Sequence, residues 1–150
     1  MTTYIKQSAP SSRTAINDFQ RQHFCSLLEQ LISGALVQFG VRATSDLPQE
    51  GWERFTESRE YRLFIEGAYA CGFVCSDLRP NVDLNAVNQR PAEEMGRFDL
   101  KQLRHYVHTL IRSERASHGY GSLVWEAVLS GALERLLGRL ANDSGLLEPL

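Results

Sequence analysis

The sequence predicts an all-α protein that folds as a single compact bundle of four to five helices. Apolar residues recur at three-and-four spacing over long stretches of the 150-residue chain. No segment longer than four residues alternates between apolar and polar in the way of a half-buried strand. With 43% hydrophobic and 23% charged residues, the composition is that of an ordinary globular domain, which at this length buries a core without disulfides or metal.

The first helix is predicted to begin near Ile16 and to end at Phe39, with Gly40 placed to stop it. Its expected core stripe comprises Ile16, Phe19, His23, Phe24, Leu27, Leu28, Leu31, Ile32, Ala35 and Phe39. Residues 1–12, which precede the helix, contain several serines and Pro10, and are expected to form a mobile leader.

A second helical region is predicted after Pro48. Trp52 and Phe55 belong to a short first segment, and a stronger stripe runs over residues 61–73. Ser58 stands where it can cap the second segment, so two helices are expected here. Residues 76–97 contain two prolines and no sustained period, which predicts a long connection.

The last two predicted helices lie within residues 98–141. Asp99 and Gln102 fit a capping box at the start of a helix that ends near Gly119. The final helix is predicted to start at about Ser122 and to carry the strongest apolar stripe, leaving residues 142–150 as a short tail. Gly131 and Gly138 lie one heptad apart on that helix, which indicates tight packing against another helix or, alternatively, a homodimer contact.

Composition and missing motifs exclude several classes of function. The net charge of −2 gives no strong field for nucleic acid or anionic membranes, and no apolar run is long enough to span a bilayer. Three cysteines without a disulfide-scaffold spacing, and no secretory signal, predict a cytoplasmic protein. The sequence also lacks a phosphate loop, a dinucleotide fingerprint, a nucleophile elbow and the Glu-x-x-His diiron pattern.

The sequence contains only weak evidence for a metal site. His105 and His108 are three residues apart, and Cys71 and Cys75 are four apart, so together they imitate a tetrahedral site. Buried thiols in apolar stretches more often serve as small hydrophobes. No metal and no cofactor are therefore expected.

A basic stripe followed by a glycine-rich turn forms the candidate site. Lys101, Arg104, His108, Arg112 and Arg115 recur every three or four residues, and are predicted to share one face opposite the helix's core face. The turn then opens the final helix, whose N-terminal amides attract anions. The candidate anion- or partner-binding residues are Arg104, His108, Arg112, Arg115, His118, Tyr120, Gly121 and Ser122. The alternative interpretation is that Gly119 and Ser122 are ordinary turn and cap residues and the arginines a solvated face.

Three sequence pieces resemble a family of short bacterial proteins of unknown function. These pieces are residues 105–115, with Arg112, Glu114 and Arg115, then residues 119–122 and residues 126–133, with Ser130 to Leu133. The likeness covers about the last third of the chain. Members of the family are often encoded on plasmids and integrative conjugative elements, and no activity is established for them. The resemblance therefore implies a bacterial cytoplasm and an accessory gene of a mobile element.

These observations favour a binding protein over an enzyme. The first hypothesis is a small protein-interaction or regulatory module with a protein partner. The second is a nucleic-acid- or anion-binding module that uses the arginine stripe and the turn. The third is an enzyme for an anionic small molecule, in which His105, His108, His118 and Glu114 supply acid–base groups.

Overall fold

The computed structural model of the protein describes residues 14–39, 51–117 and 121–142, and within these ranges the regular structure is helical, with no strand. Gly40, the predicted leader 1–12 and the predicted tail beyond residue 142 lie outside the described residues. The helices are α1 (Asp18–Phe39), α2 (Trp52–Thr56), α3 (Arg59–Ala70), α4 (Leu84–Gln89), α5 (Pro91–Arg97), α6 (Leu100–Ala116), α7 (Leu123–Ser130) and α8 (Ala132–Asn142). The all-α class is confirmed.

Two of the predicted helix starts, at Ser58 and at Asp99, are set by local capping, and the structure confirms them. The Ser58 hydroxyl accepts a hydrogen bond from the Tyr61 amide at 3.2 Å, which separates α2 from α3. Asp99 and Gln102 form a reciprocal capping box, with bonds of 2.8 and 2.9 Å. Each such cap satisfies amides that the first helical turn leaves without a partner.

The start of α1 carries a cap that the sequence analysis missed. The Asn17 carboxamide accepts from the Gln20 amide at 2.8 Å, and the Gln20 side chain accepts from the Asn17 amide at 2.9 Å. This Asn-x-x-Gln pair satisfies the same two amides as a Ser/Thr capping box. The helix consequently begins at Asp18 rather than at Ile16.

The core is arranged around α6, since ten of its 17 residues are buried. α1 packs across α3 and α8, and its Phe24 ring stacks on Phe73 with ring centroids 4.2 Å apart. Phe24, Leu28, Leu31 and Ala35 lie on the inner face of α1, as their spacing predicts.

The predicted core stripe of α1 is too wide, and two of its members point to solvent. Phe19 is 77% exposed and His23 is exposed as well. At about 3.6 residues per turn, these two positions lie on the opposite side of the helix from Leu28 and Ala35. An apolar residue near a stripe is therefore not always part of it.

The count of four to five helices is too low, because two regions divide further. The expected connection 76–97 is irregular only at its start, since it contains α4 and α5. Asp83 caps α4 by accepting from the Ala86 amide, and Pro91 stands in the first turn of α5. These short helices have too few turns for a detectable apolar period.

The predicted final helix is divided at Gly131. Gly131 has φ +87°, a left-handed conformation that ends α7 and that glycine adopts without steric cost. Gly138 lies exposed on α8, with no atom within 4 Å of the place where a Cβ would be. The interpretation of both glycines as a tight seam against another helix of the fold is therefore wrong, whereas a homodimer contact at Gly138 stays a prediction.

No helix in the described part of the chain is both long enough and apolar enough to cross a membrane.

Candidate functional site

The predicted basic stripe on α6 is not one solvated face. Arg104 is only 4% exposed and His108 is fully buried, whereas Lys101, Arg112 and Arg115 are exposed. The expectation of a single exposed stripe is wrong because the irregular segment 71–82 covers the middle of that face. Arg104 and His108 both bond the backbone of this segment.

Arg104 holds two distant parts of the chain against α6. Its Nε donates to the Gly72 carbonyl at 2.9 Å, and its Nη1 donates to the Thr14 carbonyl at 2.7 Å. Hydrogen bonds from a guanidinium are among the stronger ones in proteins. The Arg104 side chain is thus used inside the fold and is not exposed to an external anion.

His108 clamps the same segment through both ring nitrogens. Nδ1 accepts from the Cys75 amide at 3.0 Å, and Nε2 lies 3.0 Å from the Leu78 carbonyl. Because an amide only donates and a carbonyl only accepts, this geometry requires a neutral ring with its proton on Nε2. Burial lowers the pKa of His108, and the nearby Arg112 and His105 add to the effect, against the Leu78 hydrogen bond and Asp77.

Two further side chains of α6 form hydrogen bonds with the backbone of segment 71–82. His105 Nε2 lies 3.1 Å from the Arg79 carbonyl, and the Thr109 hydroxyl accepts from the Val82 amide at 3.4 Å. Together with Arg104 and His108 they pair backbone groups of segment 71–82 that no helix satisfies. His105 and His108, which were predicted as acid–base or metal groups, thus carry structural hydrogen bonds.

The N-terminus of α7, where an external anion was predicted, holds the carboxylate of Glu114. Oε1 accepts from the amides of Leu123 and Val124 at 2.6 and 3.2 Å. Oε2 accepts from the hydroxyls of Tyr61 and Ser122 at 2.6 and 2.7 Å. Glu114 is 6% exposed, so an internal anion occupies the site that the sequence assigned to a ligand.

The Glu114 carboxylate has no remaining acceptor capacity. Two carboxylate oxygens offer about four lone-pair sites, and four donors already use them. Ser122 also accepts from the Trp125 amide at 3.1 Å, so its hydroxyl acts as the α7 cap, as the cap interpretation of the turn predicts. Burial, and then the hydrogen bond to Glu114, raise the pKa of Tyr61. We call Tyr61, Glu114 and Ser122 the Glu114 cluster. Its hydrogen bonds connect α3, α6 and the start of α7.

Two clefts adjoin the Glu114 cluster. A cleft of about 630 Å³ runs along α3, where Tyr61, Arg62, Glu66 and Arg115 line it. A second, of about 460 Å³, lies towards α2 and includes Trp52 and Gly121. Glu114 lines both clefts, but its two carboxylate oxygens already accept hydrogen bonds from four donors.

The remaining predicted site residues are divided between surface and undescribed positions. Arg115 donates to the Tyr69 hydroxyl at 3.1 Å and lies 5.8 Å from the centroid of that ring. Arg112 is exposed, and Gly121 lines the smaller cleft with φ +115°. His118 and Tyr120 lie outside the described residues.

The acid–base constellation of the enzyme hypothesis does not form among the described groups. The ring centroids of His105 and His108 lie 6.2 Å apart, and each ring bonds a backbone carbonyl. In residues 14–39, 51–117 and 121–142, no three His, Cys, Asp or Glu side chains are grouped so as to hold a metal ion. Cys71 and Cys75 are buried, and burial raises the pKa of both thiols.

A surface that the sequence analysis did not identify lies on the outside of α1. We define the α1 ridge as the exposed residues Phe19, His23, Ser26, Gln30, Ser33 and Val37. Phe19 is 77% and Val37 84% exposed, and the Phe19 and His23 rings stack with centroids 6.3 Å apart. The spacing that would have revealed the ridge is present in the sequence, but Phe19 and His23 had been assigned to the core stripe.

No protein-family model, no curated protein and no solved structure matches this chain. The resemblance of residues 105–133 to a family of short bacterial proteins therefore stays a prediction.

Proposed function

We propose that the protein is an interaction module that binds another protein chain through the α1 ridge. The observation that carries this proposal is the composition of the ridge. All six residues are exposed, none is an acid, a lysine or an arginine, and an aromatic and an aliphatic side chain stand at its two ends. Protein interfaces are depleted of charged residues at their centres and enriched in aromatic ones.

The outer faces of the other long helices differ from the α1 ridge in charge. α3 presents Arg59, Arg62 and Glu66 to solvent, and α8 presents Glu134 and Arg135. Charged residues are the ordinary composition of a helix face that meets only water. α1 is also the longest described helix, with 22 residues, so its uncharged face is the most extended one.

The ridge defines the chemistry of its partner. Fully burying the Phe19 and Val37 side chains contributes about 1.5–3 kcal/mol each, as for any large apolar side chain. The serines and Gln30 between them offer hydrogen bonds without the desolvation cost of a charge. The ridge therefore fits a partner helix that also carries apolar side chains and uncharged polar groups.

The alternative of nucleic-acid or anion binding has less support. It requires Arg104 and His108 at the surface and free amides at the start of α7. Arg104 and His108 instead bond segment 71–82, and Glu114 accepts from the α7 amides. Arg112 and Arg115 are exposed. Two arginines can make only a few of the phosphate contacts on which nucleic-acid affinity depends.

Site-specific photo-crosslinking tests the proposal. A benzoylphenylalanine replaces Gln30 in the middle of the ridge, and in a control chain it replaces the exposed Lys101 on α6. Irradiation in cells that naturally encode the protein is expected to give one adduct of defined mass from position 30 and none from position 101. The adduct should disappear when Val37→Glu is added, because a charge at the ridge then has to be buried.

The proposal is wrong if position 30 gives no discrete adduct, or if positions 30 and 101 give the same products. It is equally wrong if the adduct persists in the Val37→Glu chain. Mass spectrometry of the adduct identifies the partner.

A further inference from the structure

We infer that the chain covering the α1 ridge is a second copy of this protein, with the two α1 helices packed antiparallel. The inference rests on the proposed function and names its partner. It follows from the order of the side chains along the ridge, from their charge and from the position of one flanking glutamate.

The ridge is complementary to itself when a two-fold axis crosses α1 at the level of Leu28. Such an axis sets Phe19 against Val37 of the second copy, and His23 against its Ser33. Ser26 then faces Gln30. Each of these three contacts pairs groups of matching chemistry: two apolar side chains at the ends, and hydrogen-bonding polar side chains towards the centre. A parallel arrangement would instead place Phe19 on Phe19 and both copies of Val37 together at the far end.

The absence of charge on the ridge removes the usual obstacle to self-association. A surface that meets its own copy brings like charges together, which is destabilising. None of the six ridge residues is Asp, Glu, Lys or Arg, whereas the outer faces of α3 and α8 carry such residues. A second copy therefore fits the α1 ridge better than any other long helix face of this chain fits its own copy.

The position of Glu29 distinguishes a second copy in this arrangement from any other partner. This residue is exposed on the flank of the ridge, one residue from the level of the axis. The two copies of Glu29 consequently lie close to each other at the edge of the interface. Their repulsion weakens the dimer, so removing the charge should strengthen association only if the partner is a second copy in this arrangement.

The size of the surface predicts a dimer that exchanges with monomer. From Phe19 to Val37 the ridge spans about 27 Å, at about 1.5 Å per residue. One helix face of this length buries little area compared with most specific protein interfaces. Interfaces of such small area are typically weak and transient. Association should therefore depend on protein concentration.

Sedimentation velocity over about a hundredfold range of concentration tests the inference, because dimerisation follows mass action. The wild-type chain is expected to shift from the 17.0 kDa of one chain towards twice that mass as concentration rises. Val37→Glu should stay monomeric throughout, with an unchanged helical circular-dichroism spectrum because Val37 is exposed. Glu29→Gln should lower the dissociation constant about two- to fivefold, and the matched control Glu66→Gln, on α3, should leave it unchanged.

A wild-type chain that is monomeric at every concentration overturns the inference, and so does a dimer that neither Val37→Glu nor Glu29→Gln alters. The photo-crosslinking experiment separates this failure from that of the proposed function. An adduct between Gln30 and a different protein refutes the second copy while the interaction function stands, whereas no adduct at position 30 refutes both.

Discussion

Glu114→Ala is expected to lower the free energy of unfolding by about 3–5 kcal/mol, because four donors lose their acceptor. An unsatisfied buried donor costs about 1–3 kcal/mol, and water entering from the adjoining clefts offsets part of the total. The four donors are the amides of Leu123 and Val124 and the hydroxyls of Tyr61 and Ser122. Chemical denaturation at neutral pH measures the loss.

Two comparisons make this result specific to the carboxylate. Glu114→Gln keeps one acceptor oxygen and should cost about half as much, whereas Glu66→Ala, at an exposed position of α3, should change stability by less than about 0.5 kcal/mol. Formate or acetate should partly restore Glu114→Ala, since the start of α7 is then an empty anion site. A Glu114→Ala chain as stable as Glu66→Ala, or one that formate and chloride affect equally, would refute the assigned role.

His108→Ala is expected to lower the free energy of unfolding by about 2–4 kcal/mol. The change leaves the Cys75 amide and the Leu78 carbonyl without their partner and opens a cavity under segment 71–82. His108→Asn should be milder because its amide oxygen replaces Nδ1 as acceptor for Cys75. His108→Gln should be milder because its amide group replaces Nε2–H as donor to Leu78.

His108 also predicts how stability depends on pH. Its pKa in the folded chain lies below the ordinary value of 6.5, so the unfolded chain binds the proton more readily. The contribution of His108 is complete above about pH 6.5 and is lost as pH falls from there through the lower folded pKa. Protonation places a proton on Nδ1, where it faces the Cys75 amide.

Denaturation curves between neutral and mildly acidic pH measure this dependence. The wild-type chain should lose stability on acidification, and His108→Gln should lose distinctly less. An identical acid response in the wild type and in His108→Gln would show that His108 is not the titrating group.

Local sequence signals predicted much of the fold. Ser58, Asp99 and Ser122 were identified as caps, and each accepts the expected amide hydrogen bond. A cap depends on residues within one helical turn, so a sequence shows it directly. The division at Gly131 was missed because the apolar stripe continues across it, and only the backbone angle shows that the helix ends there.

The roles of the polar residues depend on contacts between elements and were missed for that reason. Arg104 and His108 have the spacing of a solvated stripe, but a segment about 30 residues earlier in the chain covers them. Glu114 was considered as an acid–base group of the enzyme hypothesis and not as a partner of α7, because spacing alone does not show that the chain turns back and places α7 on its carboxylate. Phe19 was assigned to the core because it falls at three-and-four spacing with other apolar residues, although its angular position on α1 faces solvent.

The proposed function requires that the α1 ridge, which is exposed in the single chain, is covered in the assembled protein. Hydroxyl-radical footprinting of Phe19 tests this claim most directly, with Tyr69 on α3 as an internal reference. The oxidation rate of Phe19 relative to that of Tyr69 is expected to be several-fold lower in the cells that encode the protein than in the dilute purified chain. The same ratio in both settings would show that nothing covers the ridge and would contradict the claim.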